Sequence, residues 1–190
     1  MNLIVLTAPS GAGKTTIARR LMAEVPSLRF SVSATTRPPR EGERDGVDYF
    51  FLTLGAFQDR IESDGFAEYE EVYPGRFYGT LRAQLEQAAI DAADGGGAVV
   101  LDIDVKGALN VKRLYGADAL TLFIAPPSLD ALADRLRSRG SETEDRIRVR
   151  LERAEMEMSH RERFDHVVVN DDLETAVGET VSRVRAFLER

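Results

Sequence analysis

Ala8-Pro9-Ser10-Gly11-Ala12-Gly13-Lys14-Thr15 is the stretch on which the reading of this chain turns. It lies between an apolar run, residues 3–7, and an amphipathic stretch, residues 14–24, so the context is strand, tight loop, helix. The spacing is that of a phosphate-binding loop, with Ala8 standing where a first glycine is usual. Small residues let successive backbone N–H groups turn inward around phosphate oxygens, and the helix N-terminus adds a favourable partial charge. Lys14 then places its ammonium on the β- and γ-phosphates, and the Thr15 hydroxyl is a ligand for Mg²⁺. The competing reading is a strand–helix turn that happens to contain these residue types. On its own the loop implies only that a nucleotide phosphate is bound.

Outward from the loop, short apolar runs rich in β-branched residues alternate with longer amphipathic stretches. Residues 3–7, 98–102, 120–124 and 167–169 read as buried strands. Residues 14–24, 81–93, 105–115, 128–138, 142–160 and 173–188 read as helices, the last with Leu173, Val177, Val181, Val184 and Leu188 on one apolar stripe. This alternation predicts an α/β fold, a parallel sheet of the P-loop type flanked by helices. Residues 30–80 break the rhythm, with many aromatics and turn glycines, and predict an inserted β-rich unit. The strand at 98–102 ends on Asp102, the place of a carboxylate beside a nucleotide-bound Mg²⁺ shell, reached through water. Asp104 precedes the helix at 105, where helix capping and a functional role are equally good readings.

The 190 residues fit one domain or one domain with insertions, and 43% hydrophobic residues are enough for a core. A net charge of −7 argues against nucleic-acid binding, which favours a basic field. There are no cysteines, which excludes disulfides and thiolate metal sites. The apolar N-terminal run is too short for a secretory signal or a membrane span, so the expectation is a cytoplasmic protein without a membrane partner. His160 and His166 have no partner at metal or catalytic-triad spacing and read as structural.

Further motifs carry a family likeness. Ser31-Val32-Ser33-Ala34-Thr35-Thr36-Arg37-Pro38-Pro39-Arg40 resembles the acceptor-binding segment of guanylate kinases. The likeness continues, in family order, through residues 46–51 (GVDYFF), 66–69 (FAEY), 77–80 (FYGT), 101–104 (LDID), 139–144 (RGSETE) and 169–172 (VNDD). It covers almost the whole chain. The resemblance implies a core of residues 1–30, 81–126 and 162–190, a GMP-binding unit at 31–80 and a helical lid at 127–161. It implies ATP as donor with Mg²⁺, GMP and dGMP as acceptors, and a monomer or homodimer. Arg37, Arg40, Tyr49 and Tyr78 would hold the acceptor phosphate; Ser33 and Glu68 would read the base, with Gly79, Thr80 and Asp102 completing the pocket. Independently of the likeness, two prolines between Arg37 and Arg40 stiffen the loop and space two guanidinium forks. A carboxylate such as Glu68 accepts both donors of a guanine edge, at N1 and the 2-amino group, and adenine offers no such pair.

From Arg135 to Arg153 seven arginines face four acids, a local reversal in an acidic chain. Such arginines balance the charge of a phosphoryl group in transit. The resemblance assigns Lys14, Arg135, Arg139 and Arg150 to catalysis, and residues 8–15 with Asn170 to ATP, Asn170 near the adenine. Ser141 and Glu144 read as a capping box. Arg146, Arg148 and Arg153 fit a solvated helix face equally well. Lys106 departs from the glutamine often found there in the family, and residues 69–76 are longer and more acidic than its common version. Two rival readings are an enzyme of this architecture with another acceptor, such as a sugar phosphate, and a non-catalytic scaffold. Intact Gly13, Lys14 and Thr15 argue against the scaffold.

Overall fold

The computed structural model describes residues 1–93, 95–138 and 143–190. In chain order its elements are β1 (Leu3–Thr7), α1 (Lys14–Glu24), β2 (Arg29–Phe30), β3 (Ala34–Thr35), β4 (Phe50–Phe51), α2 (Leu54–Glu62), β5 (Phe66–Tyr73) and β6 (Arg76–Leu81). They continue with α3 (Arg82–Ala93), β7 (Val99–Asp102), α4 (Val105–Tyr115), β8 (Ala119–Ala125), α5 (Leu129–Ser138), α6 (Glu144–Met158), β9 (His166–Val169) and α7 (Leu173–Leu188).

Five strands form a wholly parallel sheet in the order β2-β7-β1-β8-β9. Alternation along each strand explains why the strands read as unbroken apolar runs. Ile4 and Leu6 of β1, with Leu120, Leu122 and Ile124 of β8, enter the core that α1 and α7 cover. Leu3, Val5, Phe123 and Ala125 enter the opposite core under α3 and α4. Thr121 is a polar exception on that second face. Its amide and hydroxyl both donate to the Asp165 carboxylate at 2.8 Å, and Lys112 of α4 donates to the same oxygen at 2.8 Å.

β1 sits between β7 and β8, so the strand order reverses at its carboxyl end, where open α/β sheets bind ligands. The register pairs Leu6 with Asp102, which brings the end of β7 beside the start of the phosphate loop.

The expected insertion is a second sheet in the order β4-β3-β6-β5, with β3/β6 and β5/β6 antiparallel. It has its own small core of Ala34, Phe57 and Phe66, the two rings stacked at 4.3 Å. Two elements were not expected from sequence. The edge strand β2 is only two residues long, too short to show a period. Helix α2 buries a single residue, Phe57, so its apolar stripe is too thin to read; Thr53 caps it by accepting from the Ala56 amide at 3.1 Å.

Helices α5 and α6 pack on each other through Leu132, Leu136, Ile147 and Ala154. α6 begins at Glu144 with Thr143 at the cap position, later than the expected start; Arg139 and Ser141 lie outside the described residues. No described helix is long and apolar enough to cross a membrane.

Candidate active site

The two sheets and helix α6 line one cavity of about 640 Å³, and most of the expected residues face it. At one end stands the phosphate loop. Gly13, immediately before α1, has φ +99°, a left-handed conformation that disfavours any Cβ. A Cβ there would also overlap the Asn170 amide nitrogen. Lys14 Nζ donates to the Ile103 carbonyl at 2.9 Å and forms an ion pair with Asp102. Burial alone would pull the Lys14 ammonium down, but the charge and hydrogen bond of Asp102, with Tyr49 and Asp104, hold it above its ordinary value. It stays a cation. Thr15 is exposed beside it at the first turn of α1. From the lid side, Arg150 donates to the Ser10 hydroxyl at 2.5 Å.

At the other end the second sheet presents an acceptor-shaped set. Arg37 is buried to 6% exposure, with its guanidinium carbon 4.9 Å from the Tyr49 ring centre and 5.6 Å from that of Phe51. Tyr49 and Tyr78 meet edge to face at 6.0 Å. Arg40 lines the same wall. Deeper in, Glu68 is 7% exposed and accepts from the Thr80 hydroxyl at 2.6 Å. Burial pushes its carboxyl up to about 7 against the opposing pull of the Thr80 hydrogen bond, with Asp104 adding a like-charge contribution. The Glu68 carboxylate nests against Gly107 of α4, where a Cβ would come within 2.5 Å of Oε2. The Ser33 hydroxyl is buried, lines the cavity and has no hydrogen-bond partner among the described residues. An unpartnered buried hydroxyl and a buried carboxylate lining the same cavity offer it polar groups for complementary donors and acceptors.

Four expected residues do not line the cavity. Ala12 is fully buried within the loop, and Thr80 acts through Glu68. Asn170 is buried at the end of β9, and its side-chain amide donates to the Ala12 carbonyl at 2.7 Å. Arg135 donates to the Asn170 carbonyl at 2.8 Å. Asn170 therefore braces the phosphate loop, and Arg135 holds the backbone of Asn170. Arg139 lies outside the described residues.

Asp104 combines both readings left open for it. It caps α4, accepting from the Lys106 and Gly107 amides at 2.8 and 3.3 Å, and it lines the cavity. Lys106 reaches Glu70 of β5 at 2.6 Å. Arg148 is a solvated pair with Asp145 at 3.4 Å. Arg153 departs from the solvated reading: it donates to Glu157 at 2.7 Å and to the Val72 carbonyl, and lies 4.6 Å from the Tyr73 ring centre. It thereby joins α6 to the tip of β5, a contact no local motif could announce.

The walls carry Lys14, Arg37, Arg40, Arg76, Arg146, Arg150 and Arg153 against fewer acids, so an acidic protein focuses positive potential in its cleft. The arrangement can hold a polyphosphate on backbone amides and lysine, a second phosphate on arginines and tyrosines, and a base edge on a buried carboxylate.

Comparison with known proteins agrees with this geometry. The guanylate kinase family model matches residues 1–189. The guanylate kinase of Salinibacter ruber is 58% identical over 187 residues, 98% of this chain and 97% of that protein. That of Chlorobaculum tepidum is 52% identical over 186 residues, 98% of this chain and 93% of its own length. Among solved structures, guanylate kinase from Anaplasma phagocytophilum superposes with a TM-score of 0.79 at 31% identity, covering 100% of this chain and 87% of that one. A shikimate kinase from Bacteroides thetaiotaomicron shares the fold alone, with a TM-score of 0.51 at 16% identity, over 100% of this chain and 99% of that one.

Proposed function

This chain belongs to the guanylate kinase family, and from that premise we propose how its residues divide the transfer of the γ-phosphoryl of ATP to GMP, giving ADP and GDP. The observation that supports the division is a single cavity with the Lys14 loop at one end and the buried Glu68 carboxylate at the other. The transfer is direct and in line, with no covalent enzyme intermediate.

The second sheet, within residues 31–80, carries the acceptor. Glu68 accepts from N1–H and the 2-amino group of guanine, with Thr80 orienting the carboxylate and Ser33 and Gly79 completing the pocket. Arg37, Arg40, Tyr49 and Tyr78 hold the acceptor phosphate. These contacts are to base and phosphate, which GMP and dGMP share, so both serve as acceptors. On the donor side, residues 8–15 wrap the phosphates and Lys14 neutralises the γ-phosphoryl. Arg150, and Arg139 by likeness, add charge from the lid at 127–161, whose closure keeps water out. Asp102 and Thr15 form the remaining set.

That set consists of oxygens only, a carboxylate and a hydroxyl, which suits a hard cation. Thr15, and Asp102 through water, would hold Mg²⁺, which when bound draws charge from the donor phosphates.

Asn170 acts on the donor through the loop, because its amide is spent on Ala12 and its flank on Gly13. Asn170→Ala is therefore expected to weaken ATP and inorganic tripolyphosphate by the same factor, about tenfold to a hundredfold, the scale of a misplaced binding group. Titration calorimetry with both ligands checks it. Loss for ATP alone would make Asn170 an adenine contact instead.

A further inference from the structure

Arg37 carries five N–H donors, and their partners can be counted. Glu43 takes the end of the fork, Nη1 donating to Oε2 at 2.5 Å and Nη2 to Oε1 at 2.7 Å. The second Nη1 hydrogen goes to the Pro38 carbonyl at 3.0 Å. The donors without a carboxylate or carbonyl partner are Nε–H and the remaining Nη2 hydrogen, which lie on the same edge of the guanidinium; the Tyr78 hydroxyl also interacts with Arg37. Nε is buried and has no hydrogen-bond partner among the described residues. Two parallel donors on one edge are the geometry that grips two oxygens of a phosphate.

Glu43 is itself held. Its Oε2 also accepts from the Arg40 amide at 2.7 Å, so one carboxylate ties Arg37 to the backbone of the second phosphate-facing arginine. Tyr49 and Phe51 lie within 5.6 Å of the guanidinium and restrict its plane. In-plane rotation is restricted by Glu43 and Pro38, and tilting by the rings.

We propose that Glu43 is a positioning residue for acceptor binding, orienting Arg37 so that its Nε/Nη2 edge meets the acceptor phosphate. The proposal rests on the assignment of Arg37 to that phosphate. It makes a prediction opposite in sign to a charge argument. Arg37 and Glu43 together are neutral, so removing the Glu43 charge exposes an uncompensated cation, which by Coulomb attraction alone would tighten phosphate binding. Loss of orientation weakens it instead.

The test is calorimetric binding of GMP, of guanosine, which has no phosphate, and of ATP, to wild type, Glu43→Gln, Glu43→Asp, Arg37→Ala and the Arg37→Ala/Glu43→Gln double variant. Glu43→Gln is expected to weaken GMP about tenfold, the scale of one hydrogen bond to a charged group. Guanosine and ATP should stay within about twofold, Glu43→Asp should recover part of the loss, and Glu43→Gln should add nothing once Arg37 is gone. Equal weakening of guanosine and GMP would make Glu43 a loop-folding residue and overturn the proposal. Unchanged or tighter GMP binding would overturn it in favour of the charge argument, and additive losses would show that Glu43 does not act through Arg37. If Arg37→Ala leaves GMP binding unchanged, the assignment of Arg37 itself fails and the role of Glu43 falls with it.

Discussion

Lys14→Ala is expected to lower turnover by about a thousandfold while GMP binding stays within about twofold. Removing one donor from a site of developing charge typically costs about 10²–10³ in rate. Here a second effect adds to that loss. Lys14 is paired with Asp102, whose side chain is only 14% exposed, so its removal leaves a partly buried carboxylate facing the donor phosphates without its cation. The double variant Lys14→Ala/Asp102→Asn should therefore bind ATP better than Lys14→Ala alone. Steady-state kinetics together with GMP titration check both points. GMP is the control because the residues assigned to its base and phosphate, Glu68, Arg37 and Arg40, do not include Lys14. Equal loss of turnover and GMP binding would give Lys14 a folding role.

Glu68→Gln is expected to weaken GMP by about 10–200-fold, the worth of roughly 1.5–3 kcal/mol for hydrogen bonds to a charged group. The amide keeps the shape but turns one acceptor into a donor, which then opposes N1–H or the 2-amino group of guanine. The same carboxylate sets a pH dependence. Its pKa is raised to about 7 by burial, so the ligand-free protein favours the neutral acid below that pH, whereas guanine requires the carboxylate. Affinity for guanosine should fall as pH drops below about 7, approaching tenfold per unit for a single proton. Guanosine is the right ligand because it has no phosphate titrating in the same range. For stability the sign is reversed. A raised carboxyl stabilises the ligand-free fold fully below its ordinary value of 4.5 and loses that contribution as pH rises through about 7. Flat guanosine affinity from pH 5.5 to 8 would remove Glu68 from the base contact.

Much of this site is legible in the sequence because its chemistry is local. The loop at 8–15 announces itself by spacing, and Arg37 and Arg40 by the prolines between them. The parallel sheet was legible because both faces are covered, so its strands are uniformly apolar. What escaped depends on long-range approach. Asn170 carries no local sign that its amide will reach Ala12, 158 positions away, so likeness alone placed it at the adenine. Arg153 sits among helix-surface charges and meets Val72, 81 positions earlier, only after the lid packs over β5. Gly107 carries no local sign that the Glu68 carboxylate will nest against it. Glu43 lies only six residues from Arg37, yet its role rests on counting donors of one guanidinium, which spacing cannot do.

The most direct measurement is ADP formation from Mg·ATP with GMP, AMP, CMP and UMP supplied separately. Glu68, Ser33 and the phosphate-holding set together predict fast turnover with GMP and background rates with the other three. Comparable turnover with AMP, or no turnover with GMP by a folded protein, would contradict the assignment of Glu68 to a guanine edge and of this cavity to GMP.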